Sequence, residues 1–159
     1  RPSNVDDKDI LGNLFSSIGE IQKKIKVIYP LHPRAEKQIQ KFGLKRKLEE
    51  MRNLFLAPPL PYLDMLRLVQ ESKFLMTDSG GLQEESTALA IPCLTLRKNT
   101  ERPITVEKGT NTLCGIKKEV LLEQANRILA GKEKKGKVPE LWDGKTSQRI
   151  MAILRSCAK

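Results

Sequence analysis

The stretch KFLMTDSGGLQEESTALAIPCLTLR, residues 73–97, decides how the chain folds. It begins with a short apolar run that predicts a strand, and residues 80–90 then have the length and composition of a helix. PCLTLR, residues 92–97, predicts the next strand. A strand, a helix and a second strand in this order are typical of two parallel strands joined by a crossover helix.

The same alternation continues on both sides of this stretch. Strands are predicted at 26–30, 53–59, 73–77, 92–97 and 110–115, and helices at 6–24, 33–42, 61–72, 80–90, 117–130 and 145–157. The last helix is expected to pack onto the domain through Ile150, Ile153 and Leu154. Residues 131–137, GKEKKGK, are expected to form a flexible, exposed connection.

Short strands that alternate with amphipathic helices favour an α/β fold. The expected architecture is a doubly wound parallel sheet, Rossmann-like, with helices on both faces. With 159 residues and no internal repeat, the chain is expected to be one domain. It opens on a helix, however, whereas such domains normally begin with a strand.

The composition narrows the classes of function. The net charge is +10, from 29 Lys and Arg against 19 Asp and Glu, and the lysines are spread along the chain among glutamates. We interpret them as a solvated surface, with an anion-attracting cleft and a nucleic-acid-binding module as the alternatives. Only 4% of the residues are aromatic, which argues against stacking of single-stranded nucleic acid.

The residues give no indication of membrane insertion, secretion or metal binding. No apolar run approaches the roughly 20 residues of a membrane span, and the first residues are not signal-like, so a cytoplasmic location without a membrane partner is expected. Cys93 and Cys114 lie in strand-like apolar contexts and are expected to be buried thiols. His32 is the only histidine and has no neighbour at ligand spacing, so no metal site is expected.

The junction TDSGG, residues 77–81, lies where a predicted strand enters a predicted helix. Ligands of doubly wound sheets bind at this edge, and a helix start offers unpaired N–H groups and a positive dipole end that suit a phosphate. Gly80 and Gly81 permit close approach and unusual dihedral angles. Ser79 can cap the helix or donate its hydroxyl to a phosphate oxygen.

Two glutamates, Glu84 and Glu85, follow about one turn into that helix. A glutamate there would repel a phosphate unless it accepts hydrogen bonds from sugar hydroxyls of the same ligand, an arrangement that a nucleoside diphosphate offers. The alternative is an ordinary helix start, where acidic side chains suit the dipole. The residues alone leave both interpretations open, and the glycine pair matches neither the dinucleotide-binding nor the P-loop pattern.

A second loop, LRKNTERP at residues 96–103, follows the next predicted strand and is expected at the same edge. Arg97, Lys98 and Arg102 are its candidates for pairing with phosphate, and an arginine can do so bidentately. The alternative is a solvated basic loop. Two phosphate-suited loops after adjacent strands favour one shared site.

At these residues the sequence resembles the non-hydrolysing UDP-N-acetylglucosamine 2-epimerases. The resemblance follows the family's order along essentially the whole chain, and DSGG-x-QEE and R-x-x-TERP-x-x-x-x-x-GT are its most specific motifs. The matching stretches are RPSNVDD (1–7), YPLHP (29–33), PLPYLDMLRLVQESKFLMTDSGGLQEES (59–86), IPCLTLRKNTERPITVEKGTN (91–111) and WDGKTSQRI (142–150).

The resemblance implies two Rossmann-like domains with the active site between them, as in glycosyltransferases of the GT-B type. Residues 1–159 would be the carboxyl-terminal, UDP-binding domain, truncated at its amino end just after the family's active-site histidine. That truncation would account for the opening helix. The implied ligand contacts are Ser79, Gly80 and Gly81 for the diphosphate, Glu85 for the ribose hydroxyls, Arg102 from the TERP loop, and Leu60 and Met65 for the uracil through main-chain groups.

The implied reaction interconverts UDP-N-acetylglucosamine and UDP-N-acetylmannosamine. UDP is eliminated across the sugar C1–C2 bond and added back with C2 inverted, without a cofactor. The family's catalytic carboxylates lie in the amino-terminal domain, so this chain alone is expected to be inactive and to work with that domain, in a homodimer when full length. A regulatory UDP-sugar site is implied near His32 and Arg1, although a histidine after a strand is more often structural.

Three other functions stay as alternatives. A hydrolysing UDP-N-acetylglucosamine 2-epimerase usually carries a serine-rich motif where this chain has DSGG, which argues against it. A GT-B glycosyltransferase domain would be distinguished by its need for an acceptor. A basic nucleic-acid-binding module would lose affinity steeply as salt rises.

Overall fold

The structure is a computed structural model that describes residues 1–157. Helices and strands alternate along these residues, as predicted. The helices are α1 (Pro2–Val5), α2 (Lys8–Ile21), α3 (Pro33–Lys41), α4 (Lys45–Glu49), α5 (Tyr62–Gln70), α6 (Gly80–Ala88), α7 (Pro103–Glu107), α8 (Lys118–Leu129) and α9 (Thr146–Cys157). The strands are β1 (Val27–Pro30), β2 (Leu54–Ala57), β3 (Leu75–Thr77), β4 (Cys93–Thr95) and β5 (Asn111–Leu113).

The strands of the described residues pair in parallel. β1 pairs with β2, and β4 pairs with both β3 and β5. The sequence predicted one continuous sheet, whereas the hydrogen-bonded strands in residues 1–157 form one ladder of two strands and one of three. Parallel strands joined by helices define a mixed α/β fold.

Helix α2 connects the cores of the two ladders. Its Leu11 and Phe15 belong to a buried cluster with residues of α3, α4 and β2, and its Leu14 and Ile21 belong to a second cluster around β4 and α8. Residues three and four apart lie on neighbouring parts of a helix surface, so one amphipathic helix can serve both clusters. Val27 of β1 packs against both as well.

The carboxyl ends of β3 and β4 lie side by side. Thr77, the last residue of β3, is the register partner of Thr95, the last residue of β4. Because parallel strands end at the same edge of a sheet, the two loops that follow begin next to each other. This register brings residues 78–79 and 96–102 to one edge.

The prediction for α9 is wrong in its packing. The helix forms, but Ile150, Ile153 and Leu154 are 51%, 62% and 56% exposed, and none of its described residues is buried. A 3.6-residue period identifies an apolar helix face but carries no information about what covers that face. None of the helices in residues 1–157 is long and apolar enough to cross a membrane.

Residues 131–137 keep most of their side chains exposed, as predicted, but their backbone is attached to the domain. The Lys137 N–H donates to the Lys108 carbonyl at 2.8 Å, and the Lys134 ammonium donates to the carbonyls of Val106 and Asn111. Burial lowers the pKa of Lys134. A glycine at position 136 makes this contact feasible, since a Cβ there would lie 2.3 Å from the carbonyl carbon of Gly109.

Candidate functional site

Ser79 lies at the turn between β3 and α6. Its backbone is extended, with φ −80° and ψ 131°, and its N–H donates to the Thr77 hydroxyl at 3.1 Å. In the described structure its own hydroxyl makes no capping hydrogen bond to α6. Of the two roles that the sequence offered Ser79, capping is therefore not the one adopted. Ser79 and Gly81 are exposed, and the unpaired N–H groups of a helix start suit an anion.

The two glycines that follow leave the helix start free of side chains, although a single Cβ at either position would make only ordinary van der Waals contact. Gly80 and Gly81 begin α6, and neither has a positive φ, so the expectation of unusual dihedral angles is wrong. A Cβ on Gly80 would lie 3.9 Å from the Arg102 Nε atom, and one on Gly81 would lie 3.9 Å from the Ser79 Oγ atom. Side chains here would occupy the opening between the helix start and Arg102.

Arg102 reaches this helix start from the neighbouring loop. It is the N-cap residue of α7, and its Nε lies 3.0 Å from Oε1 of Glu84. The Arg102 and Glu84 side chains are 45% and 40% exposed. The pair is open to solvent, which makes it weak and leaves the guanidinium able to exchange partners.

Arg97 is held differently from Arg102. Its guanidinium makes a bidentate pair with Glu101, at 2.6 and 2.8 Å, and its side chain is only 13% exposed. The Arg97 guanidinium holds the pKa of Glu101 at about 2, well below the usual range, with a smaller contribution from Arg1. Of the candidate cations on this loop, Arg97 is therefore committed to fixing the loop's shape.

Asn4 fastens α1 to the same edge, a contact that the sequence analysis did not identify. The side chain is 7% exposed, and its Nδ2 donates to Asp78 Oδ2 at 2.9 Å and to the Leu96 carbonyl at 3.1 Å. One buried amide thus joins the residues that follow β3 and β4. The signal available in the sequence was a polar residue retained in the RPSN stretch of the resemblance.

A buried hydrogen-bond network lies behind the two loops. Gln83, Thr95, Thr105 and Asn111 are all 0% exposed. The Thr95 hydroxyl donates to Asn111 Oδ1 at 2.6 Å, and Asn111 Nδ2 donates to Gln83 Oε1 at 3.2 Å and to Thr105 Oγ1 at 3.0 Å. Buried polar groups are expensive unless they are paired, so this cluster is a built feature of the fold.

The remaining predicted ligand contacts lie around α5 and α6. Glu85 is half-buried on α6, and no ion pair to it occurs within residues 1–157. Met65 is half-buried on α5, which contacts α6, and Leu60 lies in the loop just before α5. The structure thus places these side chains on elements adjoining the Ser79 turn, without a direct contact to it.

His32 has a structural partner. Its Nδ1 accepts from the Arg34 N–H at 3.1 Å, so the imidazole caps α3. The Arg34 guanidinium pairs with Asp6, a contact that lowers the pKa of Asp6. No hydrogen bond or ion pair joins His32 to Arg1 in the described part of the chain; Arg1 instead contacts Glu101, with Nη2 3.3 Å from Oε1.

Two of the three cysteines, Cys93 and Cys114, are buried as expected, and Cys157 is exposed. Cys93 and Cys114 have low exposure, and burial raises the pKa of both thiols, that of Cys114 to about 12. Thiolates are the reactive form of cysteine, so these two are structural. Among residues 1–157 there is no cluster of three or more His, Cys, Asp or Glu side chains able to hold a metal ion.

The fold and the site together define a class: a parallel α/β domain whose strand-end loops bring a helix start and an arginine together, an arrangement chemically suited to an anion. Residues 1–155 match the family model described as UDP-N-acetylglucosamine 2-epimerase. The chain belongs to this family, as its sequence motifs predicted.

Curated relatives agree with the family assignment. The chain is 41% identical, over 156 residues, to the UDP-N-acetylglucosamine 2-epimerase of Methanocaldococcus jannaschii, covering 97% of this chain and 42% of that protein. It is 34% identical to the UDP-2,3-diacetamido-2,3-dideoxy-D-glucuronate 2-epimerase of Pseudomonas aeruginosa, covering 97% of this chain and 42% of the relative. The chain thus spans about two fifths of the length of these relatives.

Solved structures agree as well. The M. jannaschii UDP-GlcNAc 2-epimerase in complex with UDP-GlcNAc and UDP superposes with a TM-score of 0.87 at 40% identity, covering 98% of this chain and 43% of that one. The enzyme from Neisseria meningitidis bound to UDP-GlcNAc gives a TM-score of 0.75 at 32% identity, covering 91% and 40%.

Proposed function

We propose that this chain is the UDP-binding domain of an epimerase that interconverts UDP-N-acetylglucosamine and UDP-N-acetylmannosamine by eliminating UDP and adding it back. The observation that carries the proposal is the approach of Arg102 to the glycine start of α6, where a Cβ on Gly80 would lie 3.9 Å from the Arg102 Nε. A guanidinium, a serine hydroxyl and open N–H groups converge there, which suits a diphosphate.

Each part of UDP has a candidate partner in this arrangement. Ser79, Gly80 and Gly81 would bind the diphosphate through the Ser79 hydroxyl and the first-turn N–H groups of α6, and Arg102 would pair with its charge. These groups would also stabilise UDP as it leaves the sugar, because negative charge then builds up on the diphosphate.

The nucleoside would extend along α6 toward α5. Glu85, one position beyond the glutamate that pairs with Arg102, would accept hydrogen bonds from the ribose hydroxyls. The main chain at Leu60 and Met65 would meet the uracil. Carboxylates accept hydrogen bonds from a diol well, since an ionised acceptor forms the stronger bonds.

The whole enzyme would contain more than this chain supplies. We propose that the two ladders belong to one doubly wound sheet, in one half of a GT-B-type architecture, and that an amino-terminal domain carries the catalytic carboxylates. The chain alone would then bind UDP without turning over UDP-N-acetylglucosamine, and the complete protein would be a cytoplasmic homodimer that needs no cofactor. His32 and Arg1 are proposed to contribute to a regulatory UDP-sugar site. His32 would do so while its Nδ1 still caps α3.

One relative is named for a different UDP-sugar, so we propose that a UDP-linked diacetamido glucuronate be assayed as a second substrate. The Pseudomonas aeruginosa protein is an epimerase of a UDP-linked diacetamido glucuronate and is 34% identical to this chain. Both substrates contain UDP, so the residues assigned above would be common to them. The preferred sugar would then be decided by groups that touch the sugar rather than the nucleotide.

The proposal is tested by calorimetric titration of UDP into the chain, with Ser79→Ala and Arg102→Ala beside the natural sequence. Loss of a hydrogen bond to a charged group typically costs about 1.5–3 kcal/mol, so each variant should bind UDP at least about tenfold more weakly than the natural chain. Arg46→Ala is the matched control, because Arg46 is a 90% exposed cation on α4 that pairs only with Glu50 among the described residues.

Three outcomes would contradict the proposal. Unchanged UDP affinity in both site variants would show that Ser79 and Arg102 do not bind UDP. Turnover of UDP-N-acetylglucosamine by this chain alone would show that catalysis does not depend on another domain. Affinity for DNA or RNA that falls steeply with salt, without UDP binding, would favour the nucleic-acid-binding module instead.

A further inference from the structure

We propose that Gln83 is a positioning residue, which sets the place of Arg102 relative to Ser79 through a buried chain of hydrogen bonds. The inference rests on the proposed binding of UDP by Ser79 and Arg102. These two residues are 23 positions apart in the chain and lie on different loops. Something must therefore hold them in register, because two surface loops alone would sample many separations.

Gln83 touches both loops at once. Its side chain is fully buried on α6, where Nε2 donates to the Ser79 carbonyl at 3.1 Å. Its Oε1 accepts from the Thr100 hydroxyl at 2.6 Å and from Asn111 Nδ2 at 3.2 Å. One amide thus connects the start of α6, the arginine loop and β5.

The network then clamps the backbone of Arg102 on both sides. The Arg102 N–H donates to Thr100 Oγ1 at 3.0 Å, and the Thr105 hydroxyl donates to the Arg102 carbonyl at 2.7 Å. Asn111 Nδ2 in turn donates to Thr105 Oγ1 at 3.0 Å. The Arg102 side chain, by contrast, is 45% exposed. A fixed backbone beneath a solvent-accessible guanidinium holds the arginine in place while leaving its side chain open to a ligand.

The directions of the hydrogen bonds allow only one arrangement of the amides. The Thr95 hydroxyl donates to Asn111 Oδ1, which leaves Nδ2 of Asn111 to donate to Gln83 and Thr105. Rotating either amide by half a turn would set two acceptors or two donors against each other. Because an unpaired buried group is expensive, the network behaves as a unit and transmits the loss of one member to Arg102.

The test removes the direct link from Gln83 through Thr100 to the Arg102 N–H without emptying the core, and it leaves the longer link through Asn111 and Thr105 in place. Gln83→Met is the direct variant, but it leaves several buried groups unpaired and can prevent folding. Thr100→Val deletes only the hydroxyl that joins Gln83 to the Arg102 N–H. Thr100→Ser keeps that hydroxyl and serves as the conservative rescue.

Thr87→Val is the matched control. Thr87 is a fully buried threonine on α6 whose hydroxyl has no hydrogen-bond partner among the described residues. Replacing it with valine removes a hydroxyl at equal volume without touching the network. A general effect of threonine-to-valine substitution in this region would appear in both variants.

We expect Thr100→Val to bind UDP about tenfold more weakly than the natural chain, and Thr100→Ser and Thr87→Val to bind normally. In an Arg102→Ala background, Thr100→Val should change UDP affinity by less than about twofold, because the two residues act through each other. A merely destabilising substitution would weaken binding equally in both backgrounds.

Two results would overturn the inference: normal UDP affinity in Thr100→Val, or an equal loss with and without Arg102. Failure of the natural chain to bind UDP would instead contradict the proposed function. In that case amide hydrogen exchange at Arg102 still decides the positioning role. The exchange should accelerate in Thr100→Val and stay slow in Thr100→Ser, and equal exchange rates in the two variants would refute the clamp.

Discussion

The adjacent glutamates of α6 offer a sharp test, because the proposed site gives them opposite roles. Glu84 Oε1 lies 3.0 Å from Arg102 Nε, so Glu84 would compete with the phosphate of a bound UDP for that guanidinium. Glu85 makes no ion pair within residues 1–157 and is our candidate for the ribose. Replacing each glutamate with glutamine keeps its size and removes its charge.

The size of the Glu84 effect follows from the exposure of the pair. At 3.0 Å the Coulomb attraction in water is about 1.4 kcal/mol. Side chains that are 45% and 40% exposed also pay side-chain entropy and are screened by salt, which leaves such pairs worth about 0.2–1 kcal/mol. Glu84→Gln should therefore tighten UDP binding by up to about fivefold.

Glu85→Gln should act in the opposite direction. Losing a charge-assisted hydrogen bond to the ribose would weaken UDP binding by about tenfold or more. Calorimetric titration of UDP into both variants and the natural chain at one salt concentration measures the two effects. Weaker binding in Glu84→Gln would refute the reasoning, because it would show that Glu84 itself holds the ligand. Equal affinity of Glu85→Gln and the natural chain would remove the ribose contact.

Two further predictions concern stability. Gly136→Ala should lower the free energy of unfolding by about 1–3 kcal/mol, since its Cβ would lie 2.3 Å from Gly109. A Cβ on Gly12 would have no atom within 4 Å, so Gly12→Ala should raise the free energy of unfolding by about 0.5–1 kcal/mol. Equal urea midpoints for Gly136→Ala and Gly12→Ala would contradict the close contact between Gly136 and Gly109. Glu101, whose pKa falls to about 2, adds stability above its ordinary pKa of 4.5, and this stability is lost as the pH falls toward 2. Between pH 5 and pH 2.5, the urea midpoint of Glu101→Gln should therefore change less with pH than that of the natural chain. Parallel plots of midpoint against pH for the two proteins would refute the assignment.

The five strands and the longer helices could be predicted from the sequence because most have a glycine or proline near at least one end and the helices show an apolar period; α2 lacks such a boundary but begins at the capping residue Asp7. The shorter helices α1, α4 and α7 were missed, since four or five residues give too few turns to show a period. The exposure of α9 was missed for a different reason. A helix face is a local property, and what packs against it is not.

The candidate site divides in the same way. The glycine pair, Ser79 and Arg102 could be identified from residue type and from their position after strands. The residues alone left Arg97 and Arg102 open and the resemblance selected Arg102; the pairing of Arg97 with Glu101 needed coordinates, although their four-residue spacing indicates such a pair. Gln83 and Asn111 could not be found at all, because the partners of a buried amide are distant in the sequence.

The role of α2 between the two ladders has a consequence for how the domain comes apart. One helix contributes to both buried clusters, through Leu11 and Phe15 on one side and Leu14 and Ile21 on the other. Within residues 1–157 no strand hydrogen bonds connect the ladders, so the packing of α2, together with Val27 of β1, couples the unfolding of the two clusters. Weakening α2 would let one cluster open while the other stays folded, turning a single transition into two.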